Sequence, residues 1–114
     1  MARTIAEVRN RALEITGKLA KGQTAKGELA ADMERAYDQI YSSLETQNLV
    51  SWGSTDDIPN EFVEDIALLM AMERSESISN ERFQRIGVRV SGALERIAAK
   101  INKSYQSPFT SEDY

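Results

Sequence analysis

Phe83, Ile86, Val90, Leu94, Ile97 and Ile101 recur every three or four residues along the last third of the chain. Only an α-helix, turning about 100° per residue, gathers that spacing onto one face, and a helix with one apolar face must bury it. Three more patterns of the same period precede it, and no strand alternation of useful length competes with them. The first opens at Thr4 with Glu7 three residues on, the spacing of a capping box. It runs through Ile5, Val8, Ala12 and Ile15 to a natural stop at Gly17. The second spans about Gly27 to Gln47, carries Leu29, Met33, Ala36, Tyr37, Ile40 and Leu44 on one stripe, and ends at Asn48. The third starts at Pro59, a residue suited to a helix's first turn, and its apolar set runs through Phe62, Val63, Ile66, Ala67, Leu69, Met70 and Ala71. A stripe that wide predicts a helix covered on more than one side. Ser75–Ser79 breaks the pattern, and Ser79 is placed to cap the last helix. Gly87 and Gly92 lie inside that last helix, where each costs about 1 kcal/mol relative to Ala, so they point to close approach of another backbone. The fold class that follows is all-α. It is a small antiparallel bundle of about four helices over residues 1–102, with an extended C-terminal tail over 103–114.

The residues that are missing narrow the function. The 114 residues suit one domain and contain neither Cys nor His. That removes disulfides, thiolate chemistry, the commonest neutral-pH acid–base group and the commonest metal ligand. Asp and Glu are so numerous that no single pair marks an acid–base site, and residues 17–27 hold three Gly without forming a phosphate loop. The expectation is a protein that is not an enzyme and uses no cofactor or metal. No apolar run is long enough to span a membrane, and the start of the chain leads into an amphipathic segment rather than a signal peptide. Fourteen Lys and Arg against 18 Asp and Glu give a net charge of −4. That sign disfavours tight wrapping of DNA and leaves room for a local basic patch.

Four constellations stand out. Arg82, Arg85, Arg89 and Arg96 share one flank of the last helix, either as a dock for acidic protein or phosphate or as a solvated flank paired with local carboxylates. Glu34, Asp38 and Glu45 form an acidic strip on the second helix, either a soluble face or a surface that repels a passing polyanion. Trp52, the only Trp, is either a partner anchor or a plug at the end of the core. In the tail, Tyr105, Pro108, Phe109 and Tyr114 sit in polar surroundings and read as a segment that docks on a partner.

Taken in order, these landmarks resemble a known family. A helix with Ala12-Leu13 leads to the connector Gly22-Gln23-Thr24. A helix with Ala30-Ala31 and Leu44 comes next, then a loop with Trp52 and Asp56-Asp57-Ile58-Pro59, an apolar helix and a final amphipathic one. The set resembles the head-to-tail adaptor proteins of tailed bacteriophages, the head-completion or packaged-DNA-stabilisation proteins, especially the short-tailed phages' tail accessory factor. The resemblance covers about residues 5–101. It implies a helical structural protein of the virion that assembles, typically as a dodecameric ring, beneath the portal protein after genome packaging. Its implied partners are the portal, neighbouring copies of itself, and tail tube, nozzle or fibre proteins, with packaged DNA passing through unbound and no membrane involved. It further implies that the tail residues and the arginine flank dock on portal or neighbour and that Glu34, Asp38 and Glu45 face the channel. A muramidase activity attributed to some members is not carried over, because no distinctive glutamate pair supports it. The alternative is a small helical transcriptional regulator that binds DNA through the Arg82–Arg96 face.

Overall fold

The computed structural model describes residues 2–74 and 80–110, with side chains described as far as Ile101. The architecture is all-α, with one very small sheet. Strand β1 (Ala2–Arg3) precedes helix α1 (Ile5–Thr16) and helix α2 (Gly27–Thr46). Strand β2 (Ile58–Pro59) and a single 3₁₀ turn (Asn60–Phe62) lead into α3 (Val63–Glu73), followed by α4 (Asn80–Val90) and α5 (Ala93–Thr110).

The first helix begins and ends as its sequence predicts. Thr4 accepts a hydrogen bond from the Glu7 amide (3.1 Å), while the Glu7 carboxylate accepts one from the Thr4 amide (2.9 Å), closing the capping box. Gly17, at φ 83°, supplies the left-handed residue that ends the helix. The connector that follows is fastened to α1 rather than loose. The Gly22 amide donates to Glu14 (3.1 Å), the Ala25 amide donates to Asn10 (3.2 Å), and Ala25 is buried.

Helix α3 is the centre of the molecule. Ile66, Ala67, Met70 and Ala71 are all fully buried, and α1, α2, α4 and α5 all pack against this one helix. The width of its apolar stripe is therefore largely accounted for within the chain, with Leu69 and Met72 left half-buried beside α2 and the start of α5. Pro59 sits just ahead of the helix rather than in its first turn. It pairs with Ala2 in the two-strand ladder and precedes the 3₁₀ turn, an edge position where its missing N–H costs nothing.

The last pattern is two helices. Gly92 adopts φ 84°, a left-handed conformation that ends the run, and α5 starts immediately after it. The expected close backbone approach is absent at both glycines. A Cβ at Gly87 would meet only the tip of Met72 at 3.9 Å, and one at Gly92 would meet Arg96 at 3.4 Å. The 3.6-residue period carries across the break, so the apolar spacing alone could not reveal it.

The C-terminal segment also differs from an extended tail, because the backbone of residues 103–110 continues α5. Once a helix is nucleated, each further residue adds a hydrogen bond, so the run outlasts the apolar residues that anchor it. Ser79, Tyr114 and the side chains of Tyr105, Pro108 and Phe109 lie outside the described residues.

The two glycines should respond to alanine in opposite directions. Gly92→Ala is expected to lower stability by about 1–2 kcal/mol, because L residues are strained at that φ. Gly87→Ala is expected to raise it by about 0.5–1 kcal/mol, as in an open helix interior. Urea unfolding monitored by circular dichroism measures both.

Candidate functional site

The four arginines do not form one free basic face. Arg82 donates to the Ile15 carbonyl (3.1 Å), and its guanidinium lies against Gly17, so a positive charge sits at the negative end of α1. Arg89 pairs with Glu64 on α3. Arg96 bonds Asp65 (2.9 Å) and also donates to the carbonyls of Arg89 (2.9 Å) and Ser91 (3.4 Å). Those two carbonyls lie at and just past the end of α4, where the helix break removes intrahelical donors, so Arg96 fastens the α4–α5 corner. Only Arg85, 68% exposed, points outward, with a loose contact of 3.6 Å to Glu81. The break at Gly92 and the carboxylates of α3 account for the difference from a continuous flank.

Glu64 and Asp65, adjacent on α3, are the hubs of this polar layer. Glu64 receives both arms of Arg11 from α1 (2.9 Å each) as well as Arg89 from α4, so one carboxylate joins three helices. The Arg11 hydrogen bonds, with the charges of Arg11 and Arg89, hold the Glu64 carboxyl below its ordinary range, and Glu64 in turn raises Arg11. Asp65 is buried and takes Arg96 together with Lys100 (3.6 Å). Lys100 also donates to the Glu61 carbonyl (2.6 Å) and stands 5.9 Å from the centre of the Phe62 ring.

The acidic strip is divided in the same way. Glu34 pairs with Arg9, a buried arginine that reaches it from α1, whereas Asp38 and Glu45 remain exposed on α2. Trp52 takes the plug's place of the two weighed for it. It is 8% exposed, donates to the Tyr37 hydroxyl (3.0 Å), accepts from the Tyr41 hydroxyl at its carbonyl (2.6 Å), and lies 5.0 Å from Phe62, ring centre to ring centre. Burial pushes the Tyr37 phenol upward, so it stays neutral and keeps its hydrogen bonds. The one sequence cue to this cluster was the placement of two tyrosines four apart ahead of the loop that carries Trp52.

Among the described residues, no group of three or more acidic side chains is placed to hold a metal ion, and no helix is long and apolar enough to cross a membrane. The clefts of the described surface include a largely apolar groove of about 400 Å³ between α2, α3 and the start of α5, a polar cleft of about 730 Å³ between α1, the connector and the entry of α3, and a shallow one of about 540 Å³ on the outer face of α4 around Val88. The sequence reading missed the groove, because it forms only where three helices meet. No protein-family model matches the chain, and neither the curated proteins nor the solved structures include a match.

The Glu64 hub gives a pH signature with a defined sign. A carboxyl held below its unfolded value stabilises the fold above about pH 4.5, and that stability is lost as pH falls through the folded value. Glu64→Gln should therefore be less stable than the parent at pH 7, with the gap closing below pH 4.5. Because the side chain is 46% exposed, solvent screening limits the gap to about 1 kcal/mol. Urea titrations at pH 7 and pH 3.5 read it directly.

Proposed function

We propose that this chain is a head-to-tail adaptor of a tailed bacteriophage, a structural virion protein that assembles as a ring beneath the portal after packaging and carries the tail. The observation that carries the reading is the ordered series of landmarks, from the Gly22-Gln23-Thr24 connector through Trp52 and Asp56-Asp57-Ile58-Pro59 to the closing amphipathic segment, on an all-α scaffold. Each landmark has a structural task that supports treating them as one framework. The connector is pinned to α1, Trp52 plugs the core, and Ile58-Pro59 fastens the N-terminal residues to the entry of α3.

In this reading the partners are the portal, neighbouring copies in a ring that is typically dodecameric, and tail tube, nozzle or fibre proteins. Packaged DNA passes without specific binding, and the site of action is the head–tail junction of the virion. Asp38 and Glu45, both exposed, suit a surface that repels a passing polyanion, whereas Glu34 is engaged by Arg9. Residues Tyr105, Pro108, Phe109 and Tyr114 form the docking segment, beyond the last described buried residue of α5, Ile101. The DNA-binding alternative has no observation in its favour, since Arg82, Arg89 and Arg96 are engaged within the chain.

Two measurements test this function. In a fluorescence-anisotropy titration at physiological salt, the protein should form no tight complex with duplex DNA. Nanomolar affinity lost on Arg85→Ala with Arg89→Ala would overturn the adaptor reading in favour of the regulator. A chain truncated after Asn102 should melt with the full chain, because Ile97, Ile101 and the Asp65 contacts remain, yet fail to bind purified portal-bearing heads. Normal head attachment by the truncated chain would remove the docking role of residues 103–114.

A further inference from the structure

Of the five helices, α4 has the least apolar anchorage. Phe83, Ile86, Val88 and Val90 are its large apolar side chains, and Ile86 alone is buried. Val90 is half-buried, Phe83 is 43% exposed and Val88 is 77% exposed. The following helix is held differently, with Ala93, Ile97 and Ile101 buried and the buried Asp65 gripping Arg96 and Lys100. What fastens α4 is mostly polar. Arg82 donates to the Ile15 carbonyl at the end of α1, and Arg89 pairs with Glu64, both side chains being half exposed. From α5, Arg96 holds the far end through the carbonyls of Arg89 and Ser91. Just beyond them Gly92, at φ 84°, divides α4 from α5. Eleven residues with Gly87 in their middle do not sustain a helix in water, so α4 keeps its form only while it lies on α3.

We propose that α4 is a releasable strap. It leaves α3 as one unit, unwinding as far as Gly92 while the other four helices stay folded, and the contacts of Arg82 and Arg89 set how often it does so. Gly87 lies over Met72, and Met72 also walls the apolar groove between α2, α3 and the start of α5. Release therefore uncovers Met72 and the seat of Ile86, and it widens that groove on one side. Ionic strength is the natural control. At about 1 M salt the screening length falls to about 3 Å, and half-exposed pairs such as Arg89 with Glu64 are screened more than pairs to a buried carboxylate such as Asp65. Salt thus loosens α4 and leaves α5 in place. Release needs neither a second copy nor a portal, so it stands or falls apart from the adaptor reading.

Native-state hydrogen exchange of the full chain, read by mass spectrometry, tests the strap. Corrected for intrinsic rates, the amides of residues 84–90 should exchange at least about tenfold faster than those of α3 and of residues 97–101. Raising sodium chloride to about 1 M should speed 84–90 about threefold. Arg89→Gln at low salt should do the same, and Arg82→Gln added to it should bring the gain to about tenfold. Tyr41→Phe removes the hydrogen bond to the Trp52 carbonyl, a contact that the released form keeps. It should speed the slowest amides of α3 about tenfold and leave 84–90 unchanged. Circular dichroism confirms that each variant is folded. Exchange of 84–90 in step with α3, or the same response of both to Tyr41→Phe, would mean that α4 leaves only on global unfolding and would overturn the strap. Exchange of 97–101 together with 84–90 would overturn the boundary at Gly92. Indifference of 84–90 to both salt and the arginine variants would overturn the polar fastening.

Discussion

The rest of this fold depends on the burial of α3 beneath four other helices. Ile66, Ala67, Met70 and Ala71 are fully buried, and the two alanines leave room for close neighbours while the larger pair fills the space between them. Four helices pack against this one, so its eleven residues organise most of the core. Removing a buried side chain such as Met70 would cost both the apolar transfer energy and a cavity, about 2–5 kcal/mol for truncation to Ala. No other helix combines such short length with burial on so many sides.

The polar layer works with this arrangement by placing charge at the margins of the apolar hub. Glu64 and Asp65 sit side by side on α3 and turn to different partners. Glu64 takes Arg11 and Arg89, and Asp65 takes Arg96 and Lys100. Asp65 is the buried member, so removing Arg96 would leave its carboxylate desolvated and poorly matched, whereas the half-exposed Glu64 pairs contribute less. Three of the four arginines that look in sequence like an open basic face, Arg82, Arg89 and Arg96, are thus committed to the chain's own carboxylates and helix ends.

The sequence made the elements legible wherever local chemistry decides them. Thr4 and Glu7 fixed the start of α1, Gly17 its end, and the stripe from Leu29 to Leu44 gave α2 to within a residue. Legibility failed where the deciding contact was distant. The division at Gly92 turns on a single residue's φ, and the Arg96 side chain completes it by satisfying the carbonyls the break exposes. The width of the α3 stripe was visible, but its meaning, a hub rather than an outward face, required knowing that four neighbours converge on it. The continuation of α5 through Thr110 leaves no mark in the apolar spacing, since no such spacing is needed to prolong an existing helix. The groove could not be seen at all, because its walls come from three separate elements.

The seat of Arg82 against Gly17 has a consequence for how this chain can change over generations. A side chain at position 17 would begin 2.9 Å from the Arg82 guanidinium carbon, on a backbone at φ 83° that already disfavours it. The guanidinium is the far end of a flexible side chain and can give way, so it is the backbone at φ 83° that reserves position 17 for glycine. A larger residue there would also displace the cation from the end of α1, so the strain and the loss of that charge would arrive together.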